Sequence, residues 1–155
     1  MVCTTDANIW IDLDHGDLLD ETFRLPFEWT IPDLVFAEVK SPDQALLTSL
    51  GLVVRPLSGS ELNRIIALNA NDPAPSPADL AVLLAASVDD ATVITEDGPL
   101  RSAAKQEGLS VHGLLWILDQ MVADAVVTAS RAAAGLTAII KKGAYLPSAE
   151  VKRRL

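Results

Sequence analysis

The chain has 155 residues, half of them hydrophobic, a positive mean hydropathy and a formal net charge of −9. That length and apolar content support one domain with a sizeable core and argue against disorder over most of its length. The acidic balance argues against a protein that grips nucleic acid through overall positive charge, but not against an acid-lined site whose charge bound cations offset.

Residues 1 to 23 contain no Lys or Arg, whereas Lys141, Lys142, Lys152, Arg153 and Arg154 crowd the C-terminus. The lone Cys3 has no internal disulfide partner and reads as a small core residue. A reducing cytoplasm is the expected setting. The N-terminus has no basic segment and reaches Asp6 at once, so no signal peptide is expected. The apolar stretch from Gly113 to Ile140 is interrupted by Asp119, Asp124 and Arg131, too polar a pattern for a membrane span.

In chain order, residues 1 to 5 read as a short strand that Asp6 ends. Ala7 to Leu13 begin a helix, with Ile9 and Leu13 four apart, and a second helical piece covers about Asp17 to Leu25. Glu28 to Ile31 reads as a strand. Pro32 opens a helix that carries Leu34, Val35 and Val39 and fades at Ser41-Pro42. Another helix runs to Leu50, where Gly51 stops it. Leu52 to Leu57 is a strand, and Ser58 and Glu61 have capping-box spacing for a helix to about Asn69. Three prolines between Asn71 and Pro77 mark a loop. Pro77 to Val88 is apolar nearly all round and reads as a buried helix. Ala91 to Thr95 is a strand, Pro99 to Glu107 a helix ended by Gly108, and Leu109 to His112 the last strand. A long Ala-rich helix follows from Leu114, with Gly135 as its expected break, and a short charged helix ends the chain. Alternating strands and helices predict an α/β fold, a parallel sheet sandwiched by helices. Ligands of such folds gather outside the carboxyl ends of the strands.

Four acids stand out in that frame. Asp6 and Asp97 follow strands and begin helices, and each also suits a plain N-cap. Asp79, in Ser76-Pro77-Ala78-Asp79, has capping-box spacing and is the one acid on the first turns of an otherwise apolar helix. Glu38 shares a predicted helical face with Ile31, Leu34 and Val35. A carboxylate on an apolar face is costly unless paired or metal-bound; the alternative is that Glu38 sits at the face's margin and reaches water. Gathered at one end of a sheet, Asp6, Glu38, Asp79 and Asp97 would form a site for divalent cations. Asn8 could cap or position a metal-bound water, Thr95 could hydrogen-bond a carboxylate or a water, and Arg101 is a candidate phosphate contact. His15 and His112 have no third ligand spaced for zinc.

The order of these acids resembles that of PIN-domain nucleases. Asp6-Ala7-Asn8-Ile9-Trp10-Ile11-Asp12-Leu13 resembles the family's opening motif, and Ile31 to Val39 its Glu-bearing helix. Ser76-Pro77-Ala78-Asp79-Leu80-Ala81 resembles the third motif and Thr95-Glu96-Asp97-Gly98-Pro99-Leu100-Arg101 the fourth, so the resemblance covers roughly residues 1 to 118. It implies a single PIN-like domain over 1–155, with 119–155 as a C-terminal helical extension like that of solitary PIN proteins. It further implies metal-dependent RNA cleavage, with Asp6, Glu38, Asp79 and Asp97 holding Mg²⁺ or Mn²⁺. Many small members are VapC-like toxins neutralised by an antitoxin protein.

Two rival readings remain. Asp12 and Asp14 have the Asp-x-Asp spacing of a haloacid-dehalogenase-like phosphatase, in which Asp12 would be the nucleophile. A PIN fold can also act as a catalytically silent binding module. Leu115, Leu118, Val122, Ala125 and Ala129 are expected on one face of the Ala-rich helix. Val126 and Val127 on its other face would suit a homodimer or an antitoxin groove.

Overall fold

The computed structural model describes residues 1–155. The elements run β1 (Val2–Thr5), α1 (Asn8–His15), α2 (Leu19–Thr22), β2 (Glu28–Pro32), α3 (Asp33–Phe36), α4 (Gln44–Leu50) and β3 (Val53–Arg55). They continue with α5 (Gly59–Asn71), α6 (Pro77–Asp89), β4 (Thr92–Ile94), α7 (Gly98–Gln106), β5 (Val111–His112), α8 (Leu114–Ala123), α9 (Ala129–Lys141) and α10 (Ser148–Arg154).

The five strands are all parallel, in the order β3-β2-β1-β4-β5. From β1 the chain steps one way to β2 and β3, then returns to lay β4 and β5 on the other side. Right-handed crossovers in opposite directions put their helices on opposite faces of the sheet. One layer groups α1 and α2 with α8 and α9; in the other, α6 lies across β1, β2 and β4 with α5 beside it. A sheet covered on both faces has buried strands, and β1 and β2 are buried except at their first residues. α6 is sandwiched in turn, with Ala81 to Ala86 all buried, as its apolar circumference predicts. The strand order reverses between β1 and β4, which places a ligand crevice at the carboxyl ends of those two strands.

Local signals hold several of these elements. Ser58 and Glu61 form the reciprocal capping box at the start of α5. Arg55, on the edge strand β3, makes bidentate ion pairs to Glu61 (2.8 and 2.9 Å) and to Asp89 (2.9 and 3.1 Å), tying the edge to α5 and α6. That pairing holds the Glu61 carboxyl down at about 2. Trp10 is wholly buried under α1: its ring stacks on Phe23, meets Trp29 edge-on, and its indole N–H donates to the Thr5 hydroxyl at 2.7 Å.

Three expectations are corrected. The helix after Pro32 stops at Phe36 rather than Ser41, and Glu38 lies on an exposed turn beyond it. The Gln44 side-chain amide donates to the carbonyls of Phe36 and Val39, both at 3.0 Å, and so takes the place of a further helical turn. The long C-terminal helix does not break at Gly135. It breaks at Asp124–Thr128, where Ala125 turns left-handed (φ 56°) and Thr128 caps α9 by accepting from the Arg131 amide. Ala125 and Ala129 therefore lie outside α8. Val126 and Val127 belong to the connection and pack on the core, not on an outer helix face.

Gly135 sits instead inside α9, at its closest approach to α1. A Cβ there would meet Leu18 Cδ1 at 2.6 Å and the Gly16 carbonyl at 3.2 Å, and one on Gly16 would meet Ile139 Cδ1 at 2.8 Å. Ala is favoured over Gly inside a helix by about 1 kcal/mol, whereas overpacking costs about 1–3 kcal/mol. Leu18 is fully buried, so its displacement is expected to outweigh the helix gain and Gly135→Ala to lower stability by about 1 kcal/mol. A urea midpoint above the wild-type value would show that the glycine pair does not set this contact.

Candidate active site

Asp6, Glu38, Asp79 and Asp97 line one cleft of about 150 Å³, together with Asn8 and an apolar floor that includes Val35 and Val82. Asp6 follows the central strand β1. Its Oδ1 accepts from the Ile9 amide (3.3 Å), and its Oδ2 accepts from the Thr95 hydroxyl. Asp97 is the N-cap of α7, and its Oδ2 accepts from the Leu100 amide at 2.9 Å. Asp79 stands in the first turn of α6, whose N-cap Ser76 accepts from the Asp79 amide at 3.1 Å. Unlike Glu61 in α5, Asp79 makes no return bond, so its carboxylate is left for the cleft. Glu38 reaches the cleft from its exposed turn after α3, the solvent-facing alternative of the two sequence readings.

Three helix starts thus converge here: Asn8 opens α1, Ser76 caps α6 and Asp97 caps α7. Each contributes the positive end of its dipole, which stabilises nearby negative charge; Pro77 and Pro99 carry no N–H, and the Ile9, Asp79 and Leu100 amides already donate to Asp6, Ser76 and Asp97. Capping and site formation are therefore one arrangement. Helix starts gather at the carboxyl ends of parallel strands, and the acids that cap them gather too.

Thr95 ties the two central acids together. It is wholly buried; its hydroxyl donates to Asp6 and accepts from the Asp97 amide at 3.1 Å. Thr95→Val keeps the shape and removes both bonds. An unsatisfied buried partner costs about 1–3 kcal/mol, so a loss of about 2 kcal/mol is expected, with Thr95→Ser close to wild type. Equal melting of the Val variant and wild type would contradict this. The Arg101 guanidinium donates to the Thr95 carbonyl at 2.8 Å, behind the end of β4.

Burial pushes the Asp6 carboxyl up from 3.8 to about 6; the Thr95 and Ile9 bonds oppose that shift, and the charges of Asp97 and Asp12 add to it. Burial also raises Asp12 and Glu96, with His15 opposing for Asp12 and the Leu114 amide and Arg101 opposing for Glu96. These two acids border a second cavity of about 250 Å³, which shares Asp6, Asn8 and Asp97 with the first and is also lined by Tyr145. Sequence reasoning missed Glu96 and Tyr145. Glu96 had a weak signal as the neighbour of Asp97, but Tyr145 had none. Asp12 stands on α1 rather than after a strand, so the phosphatase reading loses the strand-end nucleophile it needs. The largest cavity, about 370 Å³, lies between α8, α9 and the C-terminal helix. Its one carboxylate, Asp119, is already paired with Arg154, so it offers no comparable chemistry.

A family model described as "DUF3368: PIN domain" matches residues 2–155. The chain belongs to the PIN-domain family. One PIN-fold structure it resembles is a PilT N-terminus domain protein, SSO1118, from the hyperthermophilic archaeon Sulfolobus solfataricus P2. The TM-score is 0.57 at 17% sequence identity, over 79% of this chain and 94% of that one. No curated protein matches. PIN domains are generally nucleases and typically use divalent metals, so this is a nuclease-type fold. No helix is long and apolar enough to cross a membrane.

The cleft offers carboxylate oxygens, the donors a hard divalent cation prefers. They ring the cleft without closing into a ready-made cage of three ligands. The cleft of about 150 Å³ has room for several waters. That suits Mg²⁺, which keeps several of its waters. A buried carboxylate with a raised pKa is also a group whose charge a cation would offset.

Proposed function

We propose that this PIN domain is a Mg²⁺- or Mn²⁺-dependent endoribonuclease that hydrolyses RNA phosphodiester bonds, with Asp6, Glu38, Asp79 and Asp97 as the metal-holding carboxylates. The supporting observation is their convergence: four acids, from 6 to 97 in sequence, border one cleft at the sheet's switch point, beside three helix starts. When bound, the metal would supply Lewis acidity and lower the pKa of water near neutral pH. Thr95 holds Asp6 in orientation toward the cleft, and the positive ends of three helix dipoles favour negative charge there. The role we assign in the cell is the toxin of a toxin–antitoxin pair, with an antitoxin covering the cleft. That all four acids border the cleft favours the nuclease over the rival of a silent binding module.

The test is cleavage of a labelled single-stranded RNA by purified protein with Mn²⁺, with Mg²⁺ and with chelator. Asp79→Asn serves as the contamination control. Cleavage that needs both metal and Asp79 supports the proposal. Equal cleavage by the variant, or none by the folded, metal-loaded wild type, overturns it.

A further inference from the structure

Tyr145 is the most exposed large side chain with an apolar body, at 95% of its full surface. It comes from the loop between α9 and α10, yet lines the second cavity together with Asp6, Asn8, Asp12, Glu96 and Asp97. The core gains nothing from the ring, and its hydroxyl makes no hydrogen bond within the chain. Lys141 and Lys142 precede it by four and three residues and are both exposed. A chain reaching at most ~3.5 Å per residue keeps them within about 14 Å.

The rest of the cavity is acidic and repels a phosphate backbone. On a chain of net charge −9, counterion release can supply little affinity. Stacking is the other large contribution to single-strand binding, and it is indifferent to net charge because every base has a π-face. We propose that Tyr145 is a stacking platform for one unpaired nucleobase at the mouth of the carboxylate cleft, with Lys141 and Lys142 holding the adjoining phosphates. The inference rests on the ribonuclease reading and narrows its substrate to single-stranded RNA. A paired base presents no free face to the ring, and duplex RNA is read mainly by its shape and backbone. Tyr145 is a substrate-positioning residue that acts on binding.

The test compares wild type, Tyr145→Ala and Tyr145→Phe on a short single-stranded RNA carrying 2-aminopurine at successive positions, and on the same strand locked in a duplex. Tyr145→Ala removes no buried contact, so the fold should survive. It is expected to raise KM for the single strand by about 5- to 150-fold, the loss of one stacked base. Tyr145→Phe keeps the ring and should stay within about threefold of wild type. Wild type and the Phe variant should quench 2-aminopurine at one position, and the Ala variant should not. If wild type cleaves but Tyr145→Ala matches it in KM and quenching, the platform is overturned and the nuclease reading stands. Equal use of the duplex also overturns the platform alone. A wild type that neither binds nor cleaves the single strand overturns both.

Discussion

Asp6→Asn should eliminate metal-dependent cleavage and, in the same protein, raise the stability of the metal-free fold above pH 6. The two effects share one cause. Asp6 is a buried carboxylate whose pKa stands at about 6 in the folded chain against an ordinary 3.8. Between those values the native state binds more protons than the unfolded one, so stability falls as pH rises through the window. Below about pH 4 the group is neutral in both states and the burden is absent. At about 1.36 kcal/mol per unit, the ionised form costs about 3 kcal/mol at neutral pH. An amide keeps the acceptor for the Thr95 hydroxyl without the charge. Urea unfolding in chelator should therefore show wild type losing up to about 3 kcal/mol more than the Asn variant between pH 4 and pH 7, since Asp12 and Glu96 contribute to both. A cation competes with the proton on Asp6, so metal affinity should weaken as pH falls below about 6. A variant that still cleaves removes Asp6 from the metal site, and one that is less stable than wild type at pH 8 removes the burial argument.

Trp10→Ala should be among the most damaging single changes to stability, at about 3–5 kcal/mol, the range for truncating a buried Trp or Phe. Trp10 is wholly buried between Phe23 (centroids 5.2 Å apart) and Trp29 (5.9 Å). Its N–H also satisfies the buried Thr5 hydroxyl. A domain of this size has about 5–15 kcal/mol in total, so the Ala variant should approach the threshold of unfolding. Thr5 immediately precedes Asp6, and Trp10 lies on the helix Asp6 introduces, so cleavage should fail before the fold does. Trp10→Phe keeps most of the apolar area and loses the hydrogen bond, which predicts a smaller loss of about 1–2 kcal/mol. Denaturant midpoints decide the matter: equal losses for Phe and Ala would mean that the hydrogen bond, not the ring packing, carries the contribution.

Much of this architecture was legible locally. The alternation of strands and helices predicted the parallel sheet, Gly51 the end of α4, and Ser58 with Glu61 the start of α5. Asp6 and Asp97 could be found because a helix start at a strand's carboxyl end leaves a recognisable pattern: an apolar run, an acid, then a helical period; Asp79 was found by its capping spacing from Ser76. Glu38 was found for a reason that failed. The helix that would have carried it is cut short by the Gln44 side chain, a contact eight residues away from Phe36 that no periodicity records.

Gly135 shows the same division. In sequence a glycine is a helix breaker, because it has no side chain to restrict its backbone. In the fold it is a gap through which α1 and α9 meet, 115 residues apart at the Gly16–Arg131 hydrogen bonds. The true break needed only a left-handed Ala125 and a Thr128 cap.

The sequence by itself determined the α/β class, the buried α6 and the candidate acids, because those follow from periodicity and from chemistry within a few residues of the chain. Only the tertiary structure decided that the four acids share one cleft, that Thr95 joins two of them, and that Tyr145 lines a cavity with those two. Those facts depend on strand order and on contacts across 89 residues, as between Asp6 and Thr95. Pairings of that range arise from burying the whole sheet at once, and no local segment encodes them.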